Sequence, residues 1–154
     1  MKITYFFFIL ICTISYIQLI LKQKKDVQIL QTYLFNCHPD LLLEKYPIII
    51  QDQVHDIQDL FDSIFKYQYI TKSFTISKKK QVTVNKNKFC VIYNTNKDEI
   101  CLTLYSNDTP IEIKLLPFTV CIIPFWWSYM VDTNGIDIYK LNDLIHFLLY
   151  GYFD

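Results

Sequence analysis

The chain has 154 residues, of which 52% are hydrophobic and 17% aromatic, so it can bury a core and is not expected to be disordered. Its fifteen basic residues are all lysines and are balanced by fifteen carboxylates, so the net charge predicts no binding to nucleic acid. Without the apolar N-terminal segment about 130 residues remain, which is the usual size of one compact domain. We therefore expect a single domain.

Residues 3–21 contain no charged side chain and are flanked by lysines on both sides. At about 1.5 Å per residue, a helix of this length spans roughly 28 Å, close to the thickness of the hydrocarbon core of a bilayer. Hydroxyl groups within it, such as that of Thr13, can bond back to the preceding turn. The segment predicts a transmembrane anchor within residues 1–25, with the lipid bilayer as its partner. A cleaved signal peptide and a buried core helix are the alternatives.

The distribution of lysines around this segment predicts its orientation. Only Lys2 precedes it, whereas Lys22, Lys24 and Lys25 follow it. Because basic residues favour the cytoplasmic side, we expect a single-pass membrane protein with its C-terminal domain in the cytoplasm. A secreted or luminal domain is the alternative.

Residues 26–45 read as a polar helical connector, in which Asp40 is placed to cap a short helix that ends before Pro47. The domain proper, residues 46–154, starts with a short buried strand, Pro47–Ile50. An amphipathic helix follows behind the potential cap Asp52. Its apolar residues recur at helical spacing: Val54, Ile57, Leu60, Phe61, Ile64 and Phe65.

Beyond Lys66 the hydrophobic period changes to two, which is typical of β-strands. Asn134-Gly135 predicts a tight hairpin that sends Ile136–Leu141 back along the strand that carries the tryptophans. The expected product is a meander of antiparallel strands, closed by a helix that Asn142 caps. No internal repeat is evident. The other predicted strands are Tyr67–Ser77, Gln81–Val84, Lys88–Asn94, Glu99–Ser106, Ile111–Leu116 and Thr119–Val131.

Cysteines and lysines each offer one further interpretation. The five cysteines form no C-x-x-C pair, so we expect buried thiols in a reducing compartment, with a disulfide between two strand cysteines as the alternative. The run Lys78–Lys80 is typical of a solvated hairpin tip. In a cytoplasmic domain it is also suited to contact acidic lipid headgroups.

The segment Leu115–Trp127 resembles the late strands of the cupin and JmjC-like oxygenase group, in which an apolar strand ends in Pro and one or two Trp follow. The chain also resembles uncharacterised proteins of large DNA viruses. The resemblance covers about Tyr46 to Leu141 and implies a mainly β (α+β) fold, a cupin-like antiparallel jelly roll with flanking helices. The elements shared with the viral proteins are Tyr46-Pro47, Phe65-Lys66-Tyr67, Ile92-Tyr93-Asn94 and Ile123-Pro124.

The same resemblance implies a metal site that this sequence does not reproduce. Oxygenases of that group bind iron with two His and one carboxylate. The second histidine commonly follows the tryptophan pair, where this chain has Ser128, and residues 88–106 contain no histidine. We therefore expect no catalytic residues and no cofactor. The alternative is an oxygenase dependent on Fe(II) and 2-oxoglutarate, with metal ligands His38, Asp40 and His146.

The aromatic residues near the end of the predicted strand Thr119–Val131 are the candidate binding surface. Strand alternation sends Trp126 to one face and Trp127 with Tyr129 to the other, where we expect Trp127 to be deeply buried. The surface suits stacking of a sugar, base or peptide, although plain packing explains it as well. The sequence predicts a membrane-anchored, non-catalytic structural or interaction module of a viral membrane, with a protein partner.

Overall fold

The structure is a computed structural model that describes residues 5, 7–14, 28–66, 68–74, 81–106, 109–132, 136–144 and 146. Residues 7–14 are helical, and the Thr13 hydroxyl donates to the carbonyl of Ile9 at 2.8 Å, the back-bond expected from the sequence. None of the helices within the described residues combines the length and the apolar character that a bilayer span requires. Much of the predicted anchor, residues 3–21, lies outside the described residues.

Between residues 28 and 142 the described part of the chain is mainly β, with two short helices, α1 (Pro39–Leu43) and α2 (Ile57–Ile64), and a 3-10 turn at Leu34–Asn36. The six-stranded sheet has the order β1-β2-β8-β5-β10-β3, and the four-stranded sheet has the order β4-β9-β6-β7. The strands are β1 (Leu30–Thr32), β2 (Ile48–Ile50), β3 (Tyr69–Phe74), β4 (Thr83–Val84), β5 (Phe89–Asn94), β6 (Ile100–Ser106), β7 (Thr109–Leu115), β8 (Val120–Pro124), β9 (Ser128–Val131) and β10 (Ile136–Asn142).

Strand pairing defines the architecture as a jelly roll. Four antiparallel pairs nest inside one another, namely β3 with β10, β4 with β9, β5 with β8 and β6 with β7. The pairs alternate between the two sheets, as in a long hairpin wound into a double-layered sandwich. Jelly rolls of this kind include the cupins, so the predicted fold class is confirmed at the level of a cupin-like jelly roll. The expected meander is wrong, because β6 and β7 are the only consecutive strands among the described residues that pair in antiparallel fashion.

Two other details of the predicted strands are wrong. The predicted strand Thr119–Val131 is divided into β8 and β9, which belong to different sheets, by a turn at Phe125 and Trp126. The expected hairpin between the tryptophan strand and Ile136–Leu141 does not form, because β9 pairs with β4 and β6 whereas β10 pairs with β3 and β5. The sandwich satisfies the backbone hydrogen bonds of β9 and β10 better than the hairpin would, since each strand has a partner on both sides.

The outer face of the six-stranded sheet is covered by α2. Side chains of the helix, including Leu60 and Phe61, pack with Val91 and Ile122 of the sheet in one buried cluster. The helix begins later than predicted, because Asp56 caps it by accepting from the amide of Gln58 at 2.8 Å. The other candidate cap, Asp52, accepts instead from the amide of Leu34 at 2.6 Å.

Residues 26–45, predicted as a helical connector, contain both sheet and helix. Strand β1 lies parallel to β2 and so adds the connector to the edge of the six-stranded sheet. The following helix, α1, begins at Pro39 with His38 as its N-cap residue, so Asp40 lies inside the first turn. The predicted cap of the final helix, Asn142, is instead the last residue of β10, and Asp143 accepts from the amide of His146 at 2.7 Å. Leu144 and His146 are helical, and residues 145 and 147–154 lie outside the described residues, as does the Asn134-Gly135 turn.

Candidate interaction surface at the Trp126 end

The sandwich has two ends, which differ in what they expose. The Trp126 end comprises residues 84–88, 124–128, 142–144 and 146, and the Phe118 end comprises residues 50–56, 94–99 and 116–119. Strand register fixes this division, because Phe89 pairs with Pro124 at one end of β5 while Tyr93 pairs with Val120 near the other.

The turn between β8 and β9 forms the centre of the Trp126 end. Trp126 has a φ of 69°, in the left-handed region that costs a non-glycine residue roughly 1–2 kcal/mol. Two backbone hydrogen bonds hold it there: the amide of Trp126 donates to the carbonyl of Asn85 at 2.9 Å, and the amide of Asn85 donates to the carbonyl of Trp127 at 2.8 Å. The strained turn is therefore fixed by the chain segment that follows β4.

Together with these two backbone hydrogen bonds, the side chain of Asn85 forms a clamp on the turn at Phe125 and Trp126. It is buried, and its Nδ2 donates to the carbonyls of Ile123 and Pro124 at 3.0 and 3.1 Å. Its Oδ1 accepts from the amide of Asn87 at 3.0 Å. Since strand ends leave carbonyls without ladder partners, a buried asparagine that satisfies two of them stabilises the crossing of the chain from one sheet to the other.

The clamped turn separates the two tryptophans. Trp127 is 5% exposed and lies with Tyr129 in the core between the sheets, whereas Trp126 is 45% exposed. The predicted burial of Trp127 and its separation from Trp126 are therefore confirmed, although a turn rather than strand alternation produces them. Of the three residues predicted to form an aromatic surface, Trp126 alone is exposed.

Trp126 belongs to a row of aromatic rings. Its ring lies 4.9 Å from that of Phe125, which contacts the ring of His146 edge-on at 4.7 Å. His146 is buried, and its Nε2 lies 2.9 Å from the carbonyl of Lys86. Burial lowers the pKa of His146, against the opposing influence of that backbone hydrogen bond and of Asp143. Two residues before it, Leu144 is 57% exposed and adds aliphatic surface to the same end.

Lysines lie in the segments next to this apolar surface. In the segments that form the Trp126 end and in the neighbouring turn after α2, the charged residues are three lysines and one aspartate, Lys66, Lys86, Lys88 and Asp143. Lys88 and Asp143 form an ion pair at 2.6 Å. Beside this pair and the end of α2 lies a cleft of about 440 Å³. The surface is thus apolar at Trp126 and basic at its margin.

The interior of the jelly roll contains one cluster of buried hydrophobic side chains. Cys90 and Cys121 face it from neighbouring strands, near Tyr129. Burial raises the pKa of Cys90 to about 12 and raises the pKa values of Cys121 and Tyr129 as well. Because the thiolate is the form that binds metals and attacks substrates, these protonated groups are poorly suited to either role. All five cysteines are free thiols, of which Cys37, Cys90 and Cys121 are buried as expected, whereas Cys12 and Cys101 are exposed.

The residues of the alternative metal site lie on different elements. His38 and Asp40 are exposed at the start of α1, while His146 is buried at the Trp126 end. Within the described ranges, no three His, Cys, Asp or Glu side chains form a group that could hold a metal ion. The donor set that an Fe(II) oxygenase requires is not assembled by these residues. Binding of Fe(II) and 2-oxoglutarate stays a prediction from the sequence.

Sequence reasoning missed the most highly connected polar residues, Asn85 and Asn94. Asn94 is fully buried at the Phe118 end and makes the same bonds as Asn85: its carbonyl accepts from Phe118 and its amide donates to Thr119. Each asparagine begins an Asn-x-Asn-Lys sequence, Asn85–Lys88 and Asn94–Lys97. This short repetition was the available signal, but the abundance of Asn and Lys in the chain concealed it.

No family model matches the sequence, and no curated protein matches it. Among solved structures, hydroxypropylphosphonic acid epoxidase from S. wedmorenis matches at 9% identity and a TM-score of 0.34, over 49% of this chain and 41% of that one. A sugar 3,4-ketoisomerase from Thermoanaerobacterium thermosaccharolyticum, in complex with TDP, matches at 14% identity and a TM-score of 0.33, over 49% and 58% of the chains.

The chain thus spans about two fifths of the epoxidase and less than two thirds of the isomerase. Similarity of this strength carries no argument about activity, so the assignment to the jelly rolls rests on the strand pairing. The resemblance to viral proteins stays a prediction.

Proposed function

We propose that this protein is a membrane-anchored, non-catalytic jelly-roll module that acts as a structural or interaction domain. The observation that carries the proposal is the hydrophobic interior, in which Trp127, Tyr129 and aliphatic side chains form one buried cluster between the sheets. Ligand sites are concave and combine apolar walls with a few placed polar groups. A hydrophobic interior supports a role for the outer surface instead.

Membrane attachment is proposed from the uncharged segment 3–21, of which residues 7–14 are helical. With more lysines after the segment than before it, the domain lies on the cytoplasmic side. The function is then to present the sandwich to a protein partner at a membrane, of the kind found in the membrane layer of a large virus.

Alkaline carbonate extraction of the full chain tests the anchor. The wild-type chain is expected to stay in the membrane pellet. Leu10→Lys places a charge in the apolar segment, where it costs about 2.5–3.5 kcal/mol of insertion free energy, and should move protein to the supernatant. Leu116→Lys, at a side chain that is 54% exposed in the domain, is the matched control and should stay in the pellet. Extraction of the wild-type chain would reject the anchor.

Metal analysis tests the non-catalytic part of the proposal. Protein purified after expression in iron-supplemented medium should contain no stoichiometric iron. Iron that is retained by the wild-type chain and lost in His38→Ala or His146→Ala would favour the oxygenase alternative.

A further inference from the structure

We infer that the Trp126 end of the sandwich faces the membrane and lies against an acidic phospholipid surface, with Trp126 inserted at the headgroup level. The inference rests on the proposed anchoring and adds the orientation of the domain and the chemistry of the surface that it touches.

The path of the chain provides the first argument. Strand β1 runs parallel to β2, and β2 runs antiparallel to β8 with Ile48 opposite Ile122 and Ile50 opposite Val120. Since β8 runs towards Pro124, both β1 and β2 begin at the Trp126 end. The chain therefore enters the domain on that side, and the preceding residues lead back to the apolar segment 3–21. A domain tethered there presents its Trp126 end to the bilayer.

Surface chemistry provides the second argument. Trp126 and Leu144 are 45% and 57% exposed, and the backbone of Trp126 is held in a strained left-handed conformation. Tryptophan prefers the membrane interface, where its ring contacts acyl chains while its N–H remains hydrated. The strain is difficult to explain by stability alone, because glycine would adopt this conformation without cost.

Charge provides the third argument. The described segments of the Trp126 end carry two lysines and one acid, with Lys66 in the neighbouring turn. Those of the Phe118 end carry one lysine, Lys97, and four acids, Asp52, Asp56, Asp98 and Glu99, of which Glu99 pairs with Lys114 at 2.8 Å. Anionic lipids attract lysine side chains that lie close to the membrane surface. The acidic end is expected to be repelled by the same lipids, so both ends favour one orientation. The run Lys78–Lys80 lies outside the described residues.

Exposed aromatic side chains also occur elsewhere, which makes the inference testable. Tyr33 and Phe35 stack at 5.9 Å and are 48% and 75% exposed. Tyr33 follows the last residue of β1 and so lies towards the Phe118 end, away from the point at which the chain enters. If the domain had the opposite orientation, with its Phe118 end towards the membrane, Tyr33 and Phe35 would contact the lipid.

Fluorescence quenching in vesicles distinguishes the two orientations. The full chain is reconstituted into phosphatidylcholine vesicles that contain phosphatidylserine and brominated acyl chains. The wild-type emission should be quenched, and Trp126→Phe should remove that quenching, since buried Trp127 contributes little. The double variant Trp126→Phe with Tyr33→Trp places a tryptophan at the opposite end and should not restore it. Quenching that is unchanged by Trp126→Phe, or that reappears with Tyr33→Trp, would overturn the inference.

Two further experiments test the lipid charge and the membrane attachment separately. Vesicles without phosphatidylserine, or the variant Lys66→Gln with Lys86→Gln, should weaken the quenching of Trp126, and unchanged quenching would reject the acidic-lipid component. Flotation of the same samples reports attachment separately. If the protein floats with the vesicles without Trp126 quenching, the anchor stands and the orientation is wrong. If it does not float, both proposals are wrong.

Discussion

The two ends of the sandwich contain the same backbone clamp and use it in opposite ways. At each end a buried asparagine, Asn85 or Asn94, binds a turn next to β8 through its backbone and its Nδ2. In each turn the residue that pairs with the asparagine is an aromatic with positive φ, 69° for Trp126 and 59° for Phe118. The clamp therefore specifies the conformation of the turn but not the direction of its side chain.

What differs is where the aromatic ring lies. Phe118 is partly buried against the core cluster that includes α2, and its ring lies 6.2 Å from that of His55, whereas Trp126 is 45% exposed. Burial compensates the strained backbone of Phe118 through apolar contacts. The more exposed ring of Trp126 offsets less of its backbone strain. Its side chain is therefore the better candidate for binding another molecule.

The largest expected effect follows removal of Trp127, which is the buried residue directly after the clamped turn. Trp127→Ala should lower the free energy of unfolding by about 3 to 5 kcal/mol, because it removes a large apolar surface from the core and leaves a cavity. Trp126→Ala, the matched exposed residue, should cost clearly less. Denaturant midpoints of the two variants measure the difference, and equal midpoints would contradict the arrangement of the turn.

The two clamps are compared by replacing each asparagine. Asn94→Ala should cost about 2 to 3 kcal/mol and Asn85→Ala about 1 to 2 kcal/mol, since buried carbonyls lose their donor. Nδ2 of Asn94 lies within hydrogen-bond distance of three carbonyls, those of Asp98, Leu115 and Leu116, whereas Nδ2 of Asn85 reaches two. Chemical denaturation provides the values. The effects should add in the double variant, because the sites are at opposite ends; strong coupling would indicate that the clamps are not independent.

Glycine substitutions separate strain from packing. Trp126→Gly should leave the free energy of unfolding within about 1 kcal/mol of wild type, because relief of the left-handed strain offsets the lost ring contacts. Phe118→Gly should cost about 1 to 2 kcal/mol, since burial of its ring is lost as well. Thermal unfolding of both variants gives the comparison. A larger loss for Trp126→Gly than for Phe118→Gly would mean that Trp126 serves the fold.

The smallest expected effect concerns pH at the Trp126 end. Burial lowers the pKa of His146, so the unfolded chain binds the proton more readily than the folded chain. The stability contributed by neutral His146 is present above the unfolded pKa of about 6.5 and decreases as pH falls towards the lower folded pKa. Midpoints of unfolding for wild type and His146→Gln, measured from pH 7.5 down to about 5, should converge with acid. Parallel curves would contradict the assignment.

Much of the fold could be predicted from local patterns, and the errors share one cause. Alternating apolar residues located β5, β6 and β7 nearly to the residue, and helical spacing located α2. The sequence did not predict the partners of β9 or those of β10. Asn134-Gly135 predicts a hairpin between these two strands from local turn preferences, but the packing of the two sheets against each other decides which strands are neighbours. Long-range pairing of this kind has no signal in a single sequence.

The candidate surface was predictable only in part. The tryptophans were identified as unusual residues, and the opposite placement of the pair was expected. The left-handed turn was not, since Trp is among the residues least expected at positive φ. Its cause is the buried Asn85, which is distant in sequence and becomes visible only when β4 is placed beside β9.

The parallel pairing of β1 with β2 has a mechanical consequence. The three residues of β1 are hydrogen-bonded along β2, and the pair is flanked by bonds from Leu30 to Pro47 and from Gln51 to Thr32, each 2.9 Å long. A pull on the chain N-terminal to residue 28, directed out of the Trp126 end along the strand axis, loads these bonds together in shear instead of peeling them one by one. Although it is short, β1 is therefore placed to resist a pulling force on the N-terminal segment and to transmit that force to the six-stranded sheet.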